Sequence, residues 1–373
     1  MKSKWKAYYQ YIKTVVPEKW SQLNCPYDMY SSMRITRERL KDRDFNADGS
    51  INFIMAVPIN NWEVELIQGA SKFGTCHHVD FEPRGFFESK KKWELWRVDN
   101  FSHLKSKVQL AYDEKKINIL FLYLTEFHID STRLKELHQD NLIIVGFNWD
   151  DRLHFSSTHK GQIVGVKEIA KNVDFSLTMS VNSLSRYANN SNSVFYWEGL
   201  KEKITKDIVL PKIKFNKVLF FGSRYGYRED MVEYLVKKNL PMELYGEGWG
   251  SNYISYEDLT YKIPRHSLNL GISTIGYTKK LTCVKGRDIE VPSVGGLYIT
   301  NRGSEVEQLY TEDKNILLYG SMDECYRKAS KVLDNPDKFS HIRKNGTLKA
   351  REFSWENRFD YLIQLVNRVI FND

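Results

Sequence analysis

The chain has 373 residues, 42% of them hydrophobic and 14% aromatic. At roughly 150 residues per domain this supplies two packed cores and excludes a mainly disordered chain; the longest apolar runs are strand-sized, far short of the ~18–20 residues of a membrane-spanning helix, and no secretory leader is read at the start. The formal charge of +8 favours an anionic partner of some kind, and four cysteines without CxxC or metal-type spacing point to a reducing, cytoplasmic setting.

Residues 1–44 hold ten basic against five acidic residues, more than half of the whole chain's excess. Trp5, Tyr8, Tyr9, Ile12 and Val16 recur at three- and four-residue spacings, so 4–16 reads as an amphipathic helix. Its aromatic stripe packs on the next domain, or else the segment is a basic arm in peripheral contact with an acidic surface such as the inner face of a membrane. From Ile51 strands alternate with helices. Runs 51–57, 117–124, 142–147, 175–179 and 193–196 read as strands, and 63–72 and 132–138 as helices. Strands without polar alternation, separated by helices, indicate a parallel sheet covered on both faces.

A second start follows Pro211. Strands are expected at 217–221, 242–245, 267–271 and 296–300, and helices at 229–238, 322–333, 336–351 and 355–371. The expected fold is α/β, with two Rossmann-like domains facing across a cleft and a helical N-terminal extension. The divisions are 1–44 for the extension, 45–208 and 209–352 for the two domains, and 353–373 for a closing helix.

Three motifs carry chemistry. In FFGSRYGYR a strand ends at Gly222-Ser223, where backbone N–H groups can approach a phosphate and Arg224 and Arg228 can add charge-assisted bonds. In YGEGW the turn at Gly246 precedes Trp249, which can hold a nucleobase or simply fill the core. In KGRDIEVPSVGG, Lys285 and Arg287 suit a diphosphate, and Glu290 offers two acceptor oxygens to a ribose diol. A surface ion-pair cluster of Arg287, Asp288 and Glu290 is the plainer alternative.

These motifs, with SLNLGIS and the closing SWENRFDYLIQLV, resemble the CgeB-like (spore maturation protein) glycosyltransferases of GT-B type over about residues 215–366. The resemblance implies that the C-terminal domain binds a nucleotide sugar, that basic residues replace a metal at the diphosphate, that no cofactor is needed and that the last helix crosses back to the N-terminal domain. Glu290 looks like the ribose-binding glutamate of related retaining enzymes. Where those enzymes carry another glutamate eight positions earlier, this chain has Thr282.

The catalytic group is then expected in the N-terminal half. Candidates past predicted strand ends are Asp150 and Asp151, Glu126 and His128, and the pair His77-His78, with Asp151 and His128 placed first. The acceptor is expected to be a hydroxyl of a surface glycan, a lipid-linked saccharide or a protein. The alternatives are a hydroxymethylated base in DNA and a non-catalytic nucleotide-sugar-binding protein that has lost the glutamate at Thr282.

Overall fold

In the computed structural model, residues 29–58, 63–81, 87–149, 151–180, 183–187, 193–196, 210–250, 253–279, 281–303 and 305–371 are described. The 4–16 helix and Asp150 lie outside them. The described residues form two units, one running to residue 196 and resuming at Ser354, the other spanning 210–353.

The first unit begins with α1 (Met29–Leu40), β1 (Ile51–Ala56), α2 (Glu63–Ala70), β2 (Gly74–Val79), α3 (Lys90–Ala111) and β3 (Ile117–Leu122). It continues with β4 (Leu142–Asn148), α4 (Asp151–His154), a small hairpin of β5 (Thr158–His159) and β6 (Gln162–Ile163), α5 (Val166–Ala170), β7 (Phe175–Thr178), α6 (Leu184–Tyr187) and β8 (Ser193–Tyr196). Residues 131–137 form a 3₁₀ helix rather than an α-helix. Among the described residues six strands pair in the order β2-β1-β3-β4-β7-β8, all parallel. Every residue of β1, β3, β4 and β7 is buried, so β1, β3 and β4 read as mainly apolar runs with one asparagine each, while β7 carries the buried Ser176 and Thr178.

Strand β2 differs, with its side chains mostly in or near solvent, and His77 and His78 lie within it rather than in a loop. An edge strand with one wet face has no apolar run to announce it. The long α3 also went unannounced. Trp93, Arg97, Phe101, Leu104, Val108 and Ala111 form its buried stripe, but Leu95, Val98 and Leu110 are exposed on other faces and blur the period.

The chain returns to this unit through α13 (Trp355–Ile370), capped by Ser354, whose hydroxyl accepts from the Asn357 N–H. Trp355, Phe359, Leu362, Leu365, Val366 and Val369 form its buried stripe and join the core of β1 and β3. The Phe359 ring lies edge-on to Phe53 at 5.2 Å.

The second unit contains β9 (Phe215–Phe221), α7 (Gly226–Lys237), β10 (Met242–Tyr245), α8 (Tyr256–Lys262), β11 (His266–Leu270), α9 (Gly286–Ser293) and β12 (Tyr298–Asn301). After these come α10 (Val306–Leu309), β13 (Leu317–Tyr319), α11 (Met322–Asp334) and α12 (Ser340–Ala350). Its strands pair in the order β10-β9-β11-β12-β13, again parallel. Strand β13 has only three residues, too short to stand out in the sequence. The single helix expected at 336–351 is a 3₁₀ turn at Pro336–Phe339 followed by α12.

In both sheets the chain leaves the first strand toward one edge and later resumes on its other side. These switch points, β1/β3 and β9/β11, open at the carboxyl ends of the strands, where α/β sheets bind ligands.

Candidate active site

At the β9/β11 switch point, Gly222 follows β9 with φ of +140°, a conformation closed to side chains. A Cβ built there would lie 2.4 Å from Nη1 of Arg287 and 3.5 Å from Nη1 of Arg228. Two guanidinium groups from distant parts of the chain therefore meet at one glycine. Arg287 is held by donating to the carbonyls of Phe221 and, at 3.4 Å, Ile272. Its guanidinium also sits over the Phe220 and Phe221 rings.

The YGEGW turn is stitched to the same place. Gly222 N–H donates to the Tyr245 carbonyl at 2.8 Å, and Arg224 N–H to that of Glu247 at 2.8 Å. Gly246 has φ of +119°, and a Cβ there would come within 2.6 Å of the Gly222 oxygen. Trp249 is buried and its indole N–H donates to the same oxygen at 2.8 Å. Trp249 is thus a core buttress with its edge committed, not a platform for a nucleobase. Arg224 is exposed and forms ion pairs with Glu229 and Glu233, which turn it along α7. Ser223 is half-buried next to it.

Helix α9 supplies the third motif. Asp288, at its N3 position, is fully buried and accepts the Lys285 N–H at 2.7 Å, the Tyr298 hydroxyl at 2.8 Å and the Ser273 hydroxyl at 2.8 and 2.9 Å to its two oxygens. A carboxylate there satisfies an otherwise orphaned N–H and complements the helix dipole. Burial pushes its carboxyl above the ordinary range, although those bonds and the charge of Arg287 pull the other way. Asp288 therefore belongs to no surface ion-pair cluster. It is the anchor that fixes the first turn of α9, from which Arg287 extends to Gly222. Reading Gly286 as the helix start would have exposed it, because N3 then falls on an acid.

Lys285 caps α9 and is half-buried, as is Glu290. The Glu290 carboxylate lies against Gly286, where a Cβ would stand 3.2 Å from Oε1. Burial first, and then the Glu290 charge, raises the Tyr256 phenol. Thr282 forms an antiparallel bridge with Thr274 and packs at Gly303, whose Cβ would lie 2.7 Å from its hydroxyl. The structure thus gathers Gly222, Arg228, Gly246, Trp249 and Arg287 at one point, with Lys285 and Glu290 on the adjoining helix start.

In the first unit the candidates separate. Asp151 is fully buried and accepts hydroxyl hydrogen bonds from Thr178, Ser183 at 2.8 Å and Tyr187 at 2.9 Å. Three buried donors make it the knot that ties α4, β7 and α6, with no open face for an acceptor proton. Its expected role as base fails on that burial. Glu126 is half-buried in an ion pair with Arg97 and also accepts the Ser131 N–H at 3.0 Å. His128 follows β3 and is half-buried; its Nδ1 accepts the Thr125 N–H at 3.1 Å, so the neutral ring carries its proton on Nε2. His78 bonds the Val57 carbonyl at 2.8 Å from the β2 edge.

The basic stretch ahead of β1 is largely built into this unit. Arg43 pairs with Asp174 at 2.7 and 2.8 Å, both side chains nearly buried, and also donates to the Leu142 carbonyl. Arg39 donates to the carbonyls of Val173 and Lys171, and Arg37 to that of Arg368. These three cations are structural, not displayed to an acidic surface. Among the described residues no group of three or more His, Cys, Asp and Glu is arranged to hold a metal, and no helix is long and apolar enough to cross a membrane.

Residues 228–364 match a family model described as glycosyl transferase-like. No curated protein matches the chain. Among solved structures, sucrose-phosphate synthase from Thermosynechococcus elongatus aligns with a TM-score of 0.59 at 10% identity, over 86% of this chain and 99% of that one. An alpha-glucosyltransferase in complex with UDP and a 13-mer DNA aligns with a TM-score of 0.56 at 10% identity, over 85% and 98%. Anabaena HepE in complex with UDP aligns with a TM-score of 0.54 at 11% identity, over 85% and 99%. With its two parallel-sheet α/β units, the chain has the GT-B fold.

Proposed function

We propose that this GT-B glycosyltransferase moves a sugar from a nucleoside diphosphate donor to a hydroxyl acceptor, with the donor held by the 210–353 unit. The convergence of Arg287 and Arg228 on Gly222 carries this reading. A guanidinium pair beside a half-buried backbone turn suits a diphosphate, since each planar fork matches phosphate oxygens bidentately. Lys285 and the start of α9 add positive potential, and Glu290 accepts the ribose hydroxyls.

The reaction breaks the bond between the anomeric carbon and the diphosphate oxygen, forms one to the acceptor oxygen and releases the acceptor proton. Charge develops on the leaving diphosphate, and fixed cations there act without reorganising in the transition state. Arg287 and Arg228 fill the place a divalent metal occupies in other sites, so donor binding is expected without one. Resemblance of residues 215–366 to the CgeB-like enzymes supports the same donor half, and a glycan, lipid-linked saccharide or protein is the acceptor class proposed with it.

Calorimetric titration of UDP in EDTA tests the donor site. Wild type should bind, and Arg287→Ala and Arg228→Ala should each weaken binding at least tenfold, the scale of losing a charge-assisted bond. Binding that appears only with added Mg²⁺ or Mn²⁺, or that both variants leave untouched, would refute the site. DNA is the second reading, favoured by the DNA-bound neighbour and the charge of +8.

A further inference from the structure

The loop after β11 is closed on itself and docks on the helix that follows Gly222. Thr274 and Thr282 bridge antiparallel, and the Ile275 N–H donates to the Leu281 carbonyl at 2.9 Å. Within it the Thr278 N–H donates to the Ile275 carbonyl at 3.2 Å, a four-residue turn whose centre is Gly276 and Tyr277. Gly276 has φ of +55°, which glycine adopts freely, and the turn carries Tyr277 at its tip. That tip meets the first turn of α7. Gly226 opens α7 with φ of +53°, and a Cβ there would stand 3.0 Å from Cδ1 and 3.1 Å from Cα of Tyr277. Any side chain at 226 would push the loop away.

From the tip a chain of contacts leads to the guanidinium pair. The Tyr277 and Tyr225 rings pack with centroids 5.2 Å apart and planes tilted by 49°, ordinary geometry for an aromatic pair. The Arg228 guanidinium lies over the Tyr225 ring, 4.5 Å from its centroid, and its Nη1 is the one that stands 3.5 Å from the Cβ position of Gly222. All three side chains are half-buried, so the cation meets the ring partly out of water, where that attraction is stronger. Tyr225 is the N-cap of α7, a place where Ser, Thr, Asp or Asn would accept a first-turn N–H, yet its side chain makes no capping bond. It offers Arg228 a ring face instead. Lys279 adds an exposed ion pair to Asp230 on α7 at 2.7 Å, a tether worth little alone. Arg287, by contrast, is placed by backbone carbonyls.

We infer that Tyr277 and Tyr225 are positioning residues for Arg228, and that through it the loop after β11 sets a preference for a nucleoside diphosphate over the monophosphate. This rests on the donor-site reading and adds residues to it that touch no ligand. Two planar forks suit two phosphate groups, so misdirecting one of them costs a diphosphate more than a monophosphate, which the other fork still serves.

Calorimetric titration of the full chain with UDP and with UMP tests it. Tyr277→Ala should weaken UDP about fivefold, the scale of a lost cation–ring contact, and leave UMP nearly unchanged. Tyr277→Phe keeps the ring and should restore the wild-type values. Tyr225→Leu keeps apolar bulk under the loop but removes the ring face, so it should repeat the Tyr277→Ala result and carries the comparison if that variant does not fold. In an Arg228→Ala background, Tyr277→Ala should cost nothing further, because its effect passes through the missing guanidinium. Losses that add in the double variant, or that fall equally on UDP and UMP, overturn the inference, since Tyr277 then acts on the ligand directly or on the fold alone. A tenfold loss in Arg228→Ala with no loss in either tyrosine variant overturns the inference and leaves the donor site standing. An Arg228→Ala variant that binds UDP like wild type removes Arg228 from the donor site and the inference with it.

Discussion

At the scale of single residues, the proposed donor half is shaped by a side chain that is missing. Gly222 is the clearest case, because its missing side chain is what admits Arg287. Gly222→Ala places a methyl group 2.4 Å from Nη1 of Arg287 and strains a backbone at φ of +140°, so the guanidinium must shift away from its carbonyl partners. The expected result is a loss of about 1–3 kcal/mol in stability by calorimetry, together with at least a tenfold rise in the UDP dissociation constant. A thermal shift without any change in UDP affinity would show that Arg287 does not contact the donor. Arg43 makes the opposite point in the other unit. It reads in the sequence as one more surface cation, yet it is nearly buried against Asp174. Arg43→Ala leaves that carboxylate buried with its cation gone and should cost about 3–5 kcal/mol in a denaturant titration of the first unit. A cost under 1 kcal/mol would mean the pair is solvated.

At the scale of elements, burial on both faces decided what was legible. Strands β1, β3 and β4 announce themselves through INFIMA, INILFL and LIIVGFN, because a parallel strand covered on both faces is mainly apolar, and β9 does so through its buried residues 218–220 alone, its start being half-buried or exposed. The wet edge strand β2 and the three-residue β13 lack that signature, and α3 hid its stripe among exposed leucine and valine. The donor motifs were legible as glycines after strands. Their assembly was not, because Gly222 and Arg287 meet only through the pairing of β9 with β11. The same limit concealed a cluster at the other end of these strands. Glu243 on β10 accepts from Lys262 at 2.8 Å and from Tyr245 at 2.6 Å, and bonds Nε2 of the buried His266 on β11 at 3.0 Å. Burial alone would raise its carboxyl, but these bonds outweigh it and lower the pKa to about 2. The unfolded value is about 4.3, so the stabilisation is complete above that pH and is lost as pH falls toward 2. Glu243→Gln should therefore cost about 1–3 kcal/mol at pH 7 and flatten the acid limb of stability relative to wild type between pH 5 and 2. Parallel curves for the two proteins would place the acid sensitivity elsewhere.

At the scale of the whole molecule, the charge of +8 bears on the acceptor only through the cations that remain displayed. Of the five basic residues from Arg34 to Arg43, Arg37, Arg39 and Arg43 hold backbone carbonyls or Asp174 within the first unit. Neutralising all five would therefore unfold the unit rather than test its surface. Arg34 is exposed and, among the described residues, Lys41 pairs only with the exposed Glu38, so these two probe an anionic partner, together with Lys2, Lys4 and Lys6, which are basic in the sequence and lie outside the described residues. For a DNA acceptor each neutralised phosphate releases counterions, and log affinity should fall by about 0.9 per contact for each unit of log salt. Five contacts would then weaken binding roughly five-hundredfold between 50 and 200 mM salt. A neutral glycan releases no counterions, so its KM should stay nearly constant over that range. On the glycan reading, neutralising Arg34, Lys41, Lys2, Lys4 and Lys6 leaves transfer to small sugar acceptors intact. Steeply salt-dependent retention on duplex DNA in a gel shift, abolished in that variant while UDP binding persists, would transfer the assignment to DNA.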